Sequence, residues 1–106
     1  MKDSASTCLA IQAASSETQV ISIVREYLSA LGPEKTAFMP ATVLNVGISY
    51  AKDIAQAALE IATREADAAP DAPEAALLRD VGTVLSTAAM RLVVLACGSE
   101  AQAAHP

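Results

Sequence analysis

The stretch from Ala72 to Cys97, APEAALLRDVGTVLSTAAMRLVVLAC, decides the fold. Leu78, Val81, Leu85, Ala88, Leu92 and Leu95 recur at alternating spacings of three and four. That period places all six on one face of a helix and reads as a short heptad seam. The arc opposite the seam changes character along the helix. It carries Arg79, Asp80, Thr83, Ser86 and Thr87 in the first half, then Met90, Val93, Val94 and Cys97. Only Arg91 interrupts the apolar second half. Asp71 and Glu74 read as a capping box that opens this helix, and Gly98 reads as its stop, giving a helix over 72–97.

Working back toward the N-terminus, Pro70 and Pro73 break the chain after a second long helix, expected over 40–66 with Pro40 at its first position. Val43, Gly47, Ile54, Ala58 and Ile61 form one stripe on it, and Leu44, Ile48, Ala51, Ala55, Leu59 and Ala62 form an adjoining one. So wide an apolar face needs more than one neighbour. A short Pro-containing turn between two long helices implies an antiparallel hairpin. Ahead of it, residues 33–40 read as a connector holding Phe38 and Met39. An earlier, shorter helix is expected over 16–31. It is opened by a capping box of Ser16 and Gln19, and Val20, Val24, Tyr27, Leu28 and Leu31 lie on one face. Residues 1–15 read as a frayed, flexible segment with room for a short helix around Leu9 and Ile11. Residues 99–106 read as a disordered tail. The expected fold is therefore all-α: one domain over 16–98, with a hairpin of long helices and a shorter N-terminal helix.

The chain has 106 residues, 53% of them hydrophobic but only 3% aromatic. Much of the apolar total is Ala, which favours helix yet buries little area per residue. A core of that kind in a domain this small gains from association, and a homodimer is expected. The formal charge is −5, and the seven basic residues are dispersed among acids. Direct nucleic-acid binding needs a clustered basic face to displace counterions, so it is not expected. The chain reads as cytoplasmic, without membrane contact. Lys2 is cancelled by Asp3, the run Cys8–Ile11 stops at Gln12, and the run Leu92–Cys97 is far shorter than the ~20 residues of a span.

Catalysis has little to stand on. The only histidine, His105, is next to the C-terminal residue, where no frame can hold a general base in reach of a nucleophile. Cys8 and Cys97 are far apart in sequence, and Cys97 within its apolar run reads as a buried, inert thiol. No Cys, His or carboxylate cluster offers a metal site, and no glycine-rich loop offers a phosphate cradle, so no cofactor is expected. What needs a reason is the apolar arc Met90, Val93, Val94 and Cys97. A helix apolar on all sides must be buried on all sides. These four residues, with Phe38 and Met39 as a second anchor, are the expected protein-binding surface.

An acidic, Ala-rich chain of this size, with two long helices, a shorter one and an apolar hairpin surface, resembles the small antiactivators of quorum-sensing regulators in proteobacteria. The resemblance implies a homodimer that binds LuxR-type transcription factors and blocks their dimerisation or DNA binding. Two other classes share the same features. One is a secretion chaperone or adaptor. The other is a small-molecule-binding helical bundle, in which the Ala side chains of the second long helix would leave a cavity.

Overall fold

The computed structural model describes residues 3–36 and 51–104, and within them all regular structure is helical. Five helices follow in order: α1 (Ser4–Ala13), α2 (Glu17–Ala30), α3 (Gly32–Thr36), α4 (Ala51–Asp67) and α5 (Pro73–Ala104). Phe38, Met39 and the first part of the expected 40–66 helix lie outside the described residues.

The seam on α5 is the spine of the core. Leu78, Val81, Leu85, Ala88 and Leu92 are buried on it, and Leu95 is half-buried. They meet Val20, Val24, Tyr27 and Leu28 of α2, and Ile54, Ala57 and Ile61 of α4, in one cluster. Helices α1, α2 and α4 all pack against α5. Full burial of each aliphatic side chain in such a cluster is worth about 1.5–3 kcal/mol, so the seam holds the other helices in place. Of the two stripes expected on α4, Ile54 and Ile61 of the first are fully buried. In the second, Ala55, Leu59 and Ala62 are exposed.

Ser16 caps α2 as its sequence implies: its hydroxyl accepts from the Gln19 amide at 3.2 Å. The Gln19 side chain reaches back one residue further than a standard box, accepting from the Ser15 amide at 2.8 Å and the Ser15 hydroxyl at 2.9 Å. Gly32 takes a left-handed φ of 82°, the conformation that ends α2 without a Cβ clash.

Three boundaries differ from expectation. Residues 1–15, read as flexible, contain a ten-residue helix whose N-cap, Asp3, accepts from the Ser6 amide at 2.7 Å. That helix sits in the core: Thr7 and Ile11 are fully buried, and the Thr7 hydroxyl is satisfied by the Asp3 carbonyl at 2.8 Å. The residues from 33 on, read as a connector, begin with the helical turn α3. Pro33 near the start of a turn fixes a helical φ at a place where no amide donor is required. The last helix opens at Pro73 for the same reason, so Asp71 lies two residues ahead of it and is not its N-cap. It also runs through Gly98 to Ala104. An interior glycine costs about 1 kcal/mol against Ala, which does not stop a helix flanked by good helix formers such as Ala and Glu.

Candidate functional site

On α5 the seam fixes which residues face outward. Met90, Val93 and Val94 fall on the arc away from the seam, and they are 71%, 61% and 56% exposed. Cys97, one turn beyond Val93, is exposed as well. The sequence reading makes Cys97 a buried packing thiol, and the single chain leaves it open to solvent. Cys8 on α1 is half-buried, and its Sγ lies 3.9 Å from the Thr83 carbonyl. The wrapping of this arc by α1 and α2, which would have covered it within one chain, is not what the helices do. Ile11 of α1 and Val20, Val24, Tyr27 and Leu28 of α2 join the core cluster, and α1 runs past Thr83 and Arg91. Where the sequence brings Met90, Val93, Val94 and Cys97 together, the structure does too. Of Phe38 and Met39 no position is described.

The lone charge in the apolar half has a definite task. Arg91 is half-buried, and its guanidinium donates twice to the Ala14 carbonyl, from Nε at 2.9 Å and from Nη2 at 2.7 Å. Ala14 is the C-cap of α1. A cation there satisfies an end carbonyl and opposes the negative end of the helix dipole. Arg91 is thus turned away from the exposed arc and leaves it free of charge. Sequence reasoning marks Arg91 only as an exception to the apolar pattern. An arginine alone in such a run is itself the signal that a backbone acceptor waits nearby.

Beside this arc an open groove of about 400 Å³ runs between α4 and α5. Ala58, Ala62 and Gly82 keep it shallow-walled, Ser86 and Thr87 line one side, and Met90 closes its end. Glu65 and Arg79 stand at the opposite end. A Cβ at Gly82 would meet Ile61 Cγ2 at 3.4 Å, an ordinary van der Waals contact, so the two helices approach closely here without excluding a small side chain. The Thr83 hydroxyl donates to the Arg79 carbonyl at 2.9 Å, within its own helix, and so does not reach into the groove. The sequence suggested a cavity beside the Ala side chains of the second long helix, and Ala58 and Ala62 line this groove; its place depends on which faces of α4 and α5 meet.

Among the described residues, Tyr27 and Asp3 sit away from their ordinary ranges, each for a local structural reason. Burial, with Asp80 nearby as the second cause, pushes the Tyr27 hydroxyl up to about 12. The Asp3 carboxyl is held below its usual value by the backbone and side chain of Ser6. Among the described residues no three His, Cys, Asp or Glu side chains come together as a metal site. Over Pro73–Cys97, 25 residues, α5 is long and apolar enough to cross a membrane, which the short run Leu92–Cys97 alone does not convey. A central helix packed by three others has the same composition, yet only 28% of its most apolar window is buried in the single chain. Comparison with protein-family models, with curated proteins and with solved structures gives no match.

Proposed function

We propose that this chain is a non-catalytic regulator that binds another protein through the apolar end of α5. The observation that carries the proposal is the exposure of Met90, Val93 and Val94, adjacent on one face beside which the Arg91 guanidinium is tied to α1. Leaving contiguous aliphatic surface in water is unfavourable, and contiguous exposed patches mark interaction sites. Met90 at its centre suits an adaptable contact, since an unbranched thioether repacks at low cost. In this reading α4 and α5 form an antiparallel hairpin that presents the face, the protein acts in the cytoplasm, and it is a homodimer when no other partner is present. The regulatory form we favour is an antiactivator: the apolar face of α5 occupies the dimerisation surface of a LuxR-type transcription factor and keeps it from binding DNA.

The test is capture of partners from native cytosol by the wild-type chain and by Val94→Asp. A carboxylate buried without a counter-charge costs several kcal/mol, so Val94→Asp lowers affinity by about a hundredfold or more. Val94 lies outside the core cluster, so the variant keeps its helical circular dichroism and a cooperative melt. Equal capture by both chains sinks the proposal. The identity of the captured protein then separates an antiactivator, which takes a transcription factor, from a secretion chaperone, which takes an exported one.

The length and apolar character of Pro73–Cys97 favour a second reading, in which this helix meets a lipid bilayer. Under that reading the chain partitions into vesicles and Val94→Asp reduces the partitioning. Under ours it stays in solution.

A further inference from the structure

Arg91 stands on the border between two surfaces of α5, the flank that α1 covers and the exposed apolar arc. It precedes Val94 by three residues, so the two stand about 60° apart around the helix and about 4.5 Å apart along it. Cys8 of α1 lies against Thr83, and Ala14 lies against Arg91, so α1 runs alongside α5 in the same direction. Arg91 is half-buried there, and both hydrogen bonds of its guanidinium end on the Ala14 carbonyl. The helix that holds the cation off the arc is therefore α1.

That helix is built to come away. It has ten residues, fewer than the ~12–15 that hold an isolated helix together, so it keeps its shape only while docked. Its fully buried residues are one aliphatic, Ile11, and one threonine, Thr7, whose hydroxyl is occupied by the carbonyl of its own N-cap, Asp3. Ala14 and Ser15 separate it from the Ser16 cap of α2, and the Ser16 hydroxyl accepts from within α2. Release of α1 thus leaves the start of the next helix intact.

Resting on the reading of the arc as a protein-docking surface, we propose that α1 switches that surface through Arg91. With α1 docked, the guanidinium is held at Ala14 and the arc is purely apolar. With α1 released, the acceptor leaves with it, and the freed cation lies beside Val94 at the edge of the arc. An apolar partner must then bury an unpaired charge, which is far costlier than burying aliphatic surface alone. Linkage makes the effect reciprocal, so an occupied arc also holds α1 down. Arg91 acts here as a positioning residue, setting the charge of a face to which it does not belong. An arginine with only a structural role would extend into water once released and leave the potential of the arc unchanged.

The test reads the charge at the arc directly. In the full-length chain carrying Val94→Cys and Cys97→Ala, an anionic and a cationic methanethiosulfonate of similar size are applied separately. Initial rates at position 94 are taken from peptide mass spectrometry. Adding Ile11→Ala and Gln12→Pro removes the buried aliphatic of α1 and breaks the helix at an exposed position. Amide exchange establishes that α1 has lost protection while α5 keeps it. If α5 loses protection too, Gln12→Pro alone is the milder release. Release should raise the ratio of anionic to cationic rates at least threefold, and Arg91→Met in the released chain should return it to the starting value. An unchanged ratio on release overturns the proposal, and so does a rise that survives Arg91→Met. An unchanged ratio leaves the docking reading standing, whereas equal capture of partners by wild type and Val94→Asp sinks that reading whatever the ratio does.

Discussion

Arg91 shows how much one side chain can settle. It stands in the most apolar part of the chain, and its two hydrogen bonds to the Ala14 carbonyl fasten α1 to α5. Hydrogen bonds involving a charged group contribute about 1.5–3 kcal/mol when their loss leaves a partner unsatisfied. Arg91→Met should therefore lower unfolding free energy by about that amount in urea titration, and amide exchange in α1 should accelerate. Arg91→Lys keeps the charge without the planar fork and should recover only part of the loss. Tyr27 supplies a prediction in pH. Its folded-state value of about 12 lies above the ordinary value of 10.0, so the native state retains a proton that the unfolded chain releases. Stability from this group is complete below pH 10.0 and declines as pH rises toward 12. Ultraviolet titration of a Tyr50→Phe chain, in which Tyr27 is the sole tyrosine, should show ionisation near 12. Ionisation near 10.0 in the folded protein would mean that the hydroxyl is not desolvated.

At the scale of elements, the heptad seam and the face of α2 were legible because apolar periodicity is what burial demands. Val81, Leu85, Val20 and Val24 are all fully buried. Boundaries were less so, since Gly98 was read as the stop of the last helix and the chain runs through it. Pro33 and Pro73 stand at helix starts, and Gly98 is inside α5. The two glycines at the edges of the seam-bearing helices make opposite predictions. Gly98→Ala should raise stability by about 0.5–1 kcal/mol, because Ala is the better interior residue. Gly32→Ala should lower it by about 1–2 kcal/mol, because φ is 82° there. Thermal melts of the two variants check both signs, and a destabilising Gly98→Ala would mean that the helix ends where the sequence reading put it. Helix α1 was read only as a short helix around Leu9 and Ile11 in a flexible segment, and its place in the core was missed for a different reason. Its buried positions are Thr7 and Ile11, whereas Leu9, the residue that catches the eye, is 67% exposed. Ile11→Ala should cost about 2–5 kcal/mol, as for other fully buried aliphatics. A negligible cost would mean that α1 is not part of the core.

For the whole molecule, α1, α2 and α4 pack against α5, while Met90, Val93, Val94 and Cys97 stay exposed on it. The sequence marked the uncovered residues because a helix that turns apolar all round announces a second contact. It could not say which side α1 and α2 would take, as that depends on Ile11 and on Arg91. If protein covers this face in the working state, Cys97, exposed at its end, reports on the cover. The most direct measurement is the alkylation rate of Cys97, compared between nanomolar and high micromolar chain and repeated with Val94→Asp. The expected result is fast reaction at high dilution, at least tenfold protection at high concentration, and no protection in the variant. A Cys97 that reacts equally fast at every concentration, with or without Val94→Asp, would contradict it.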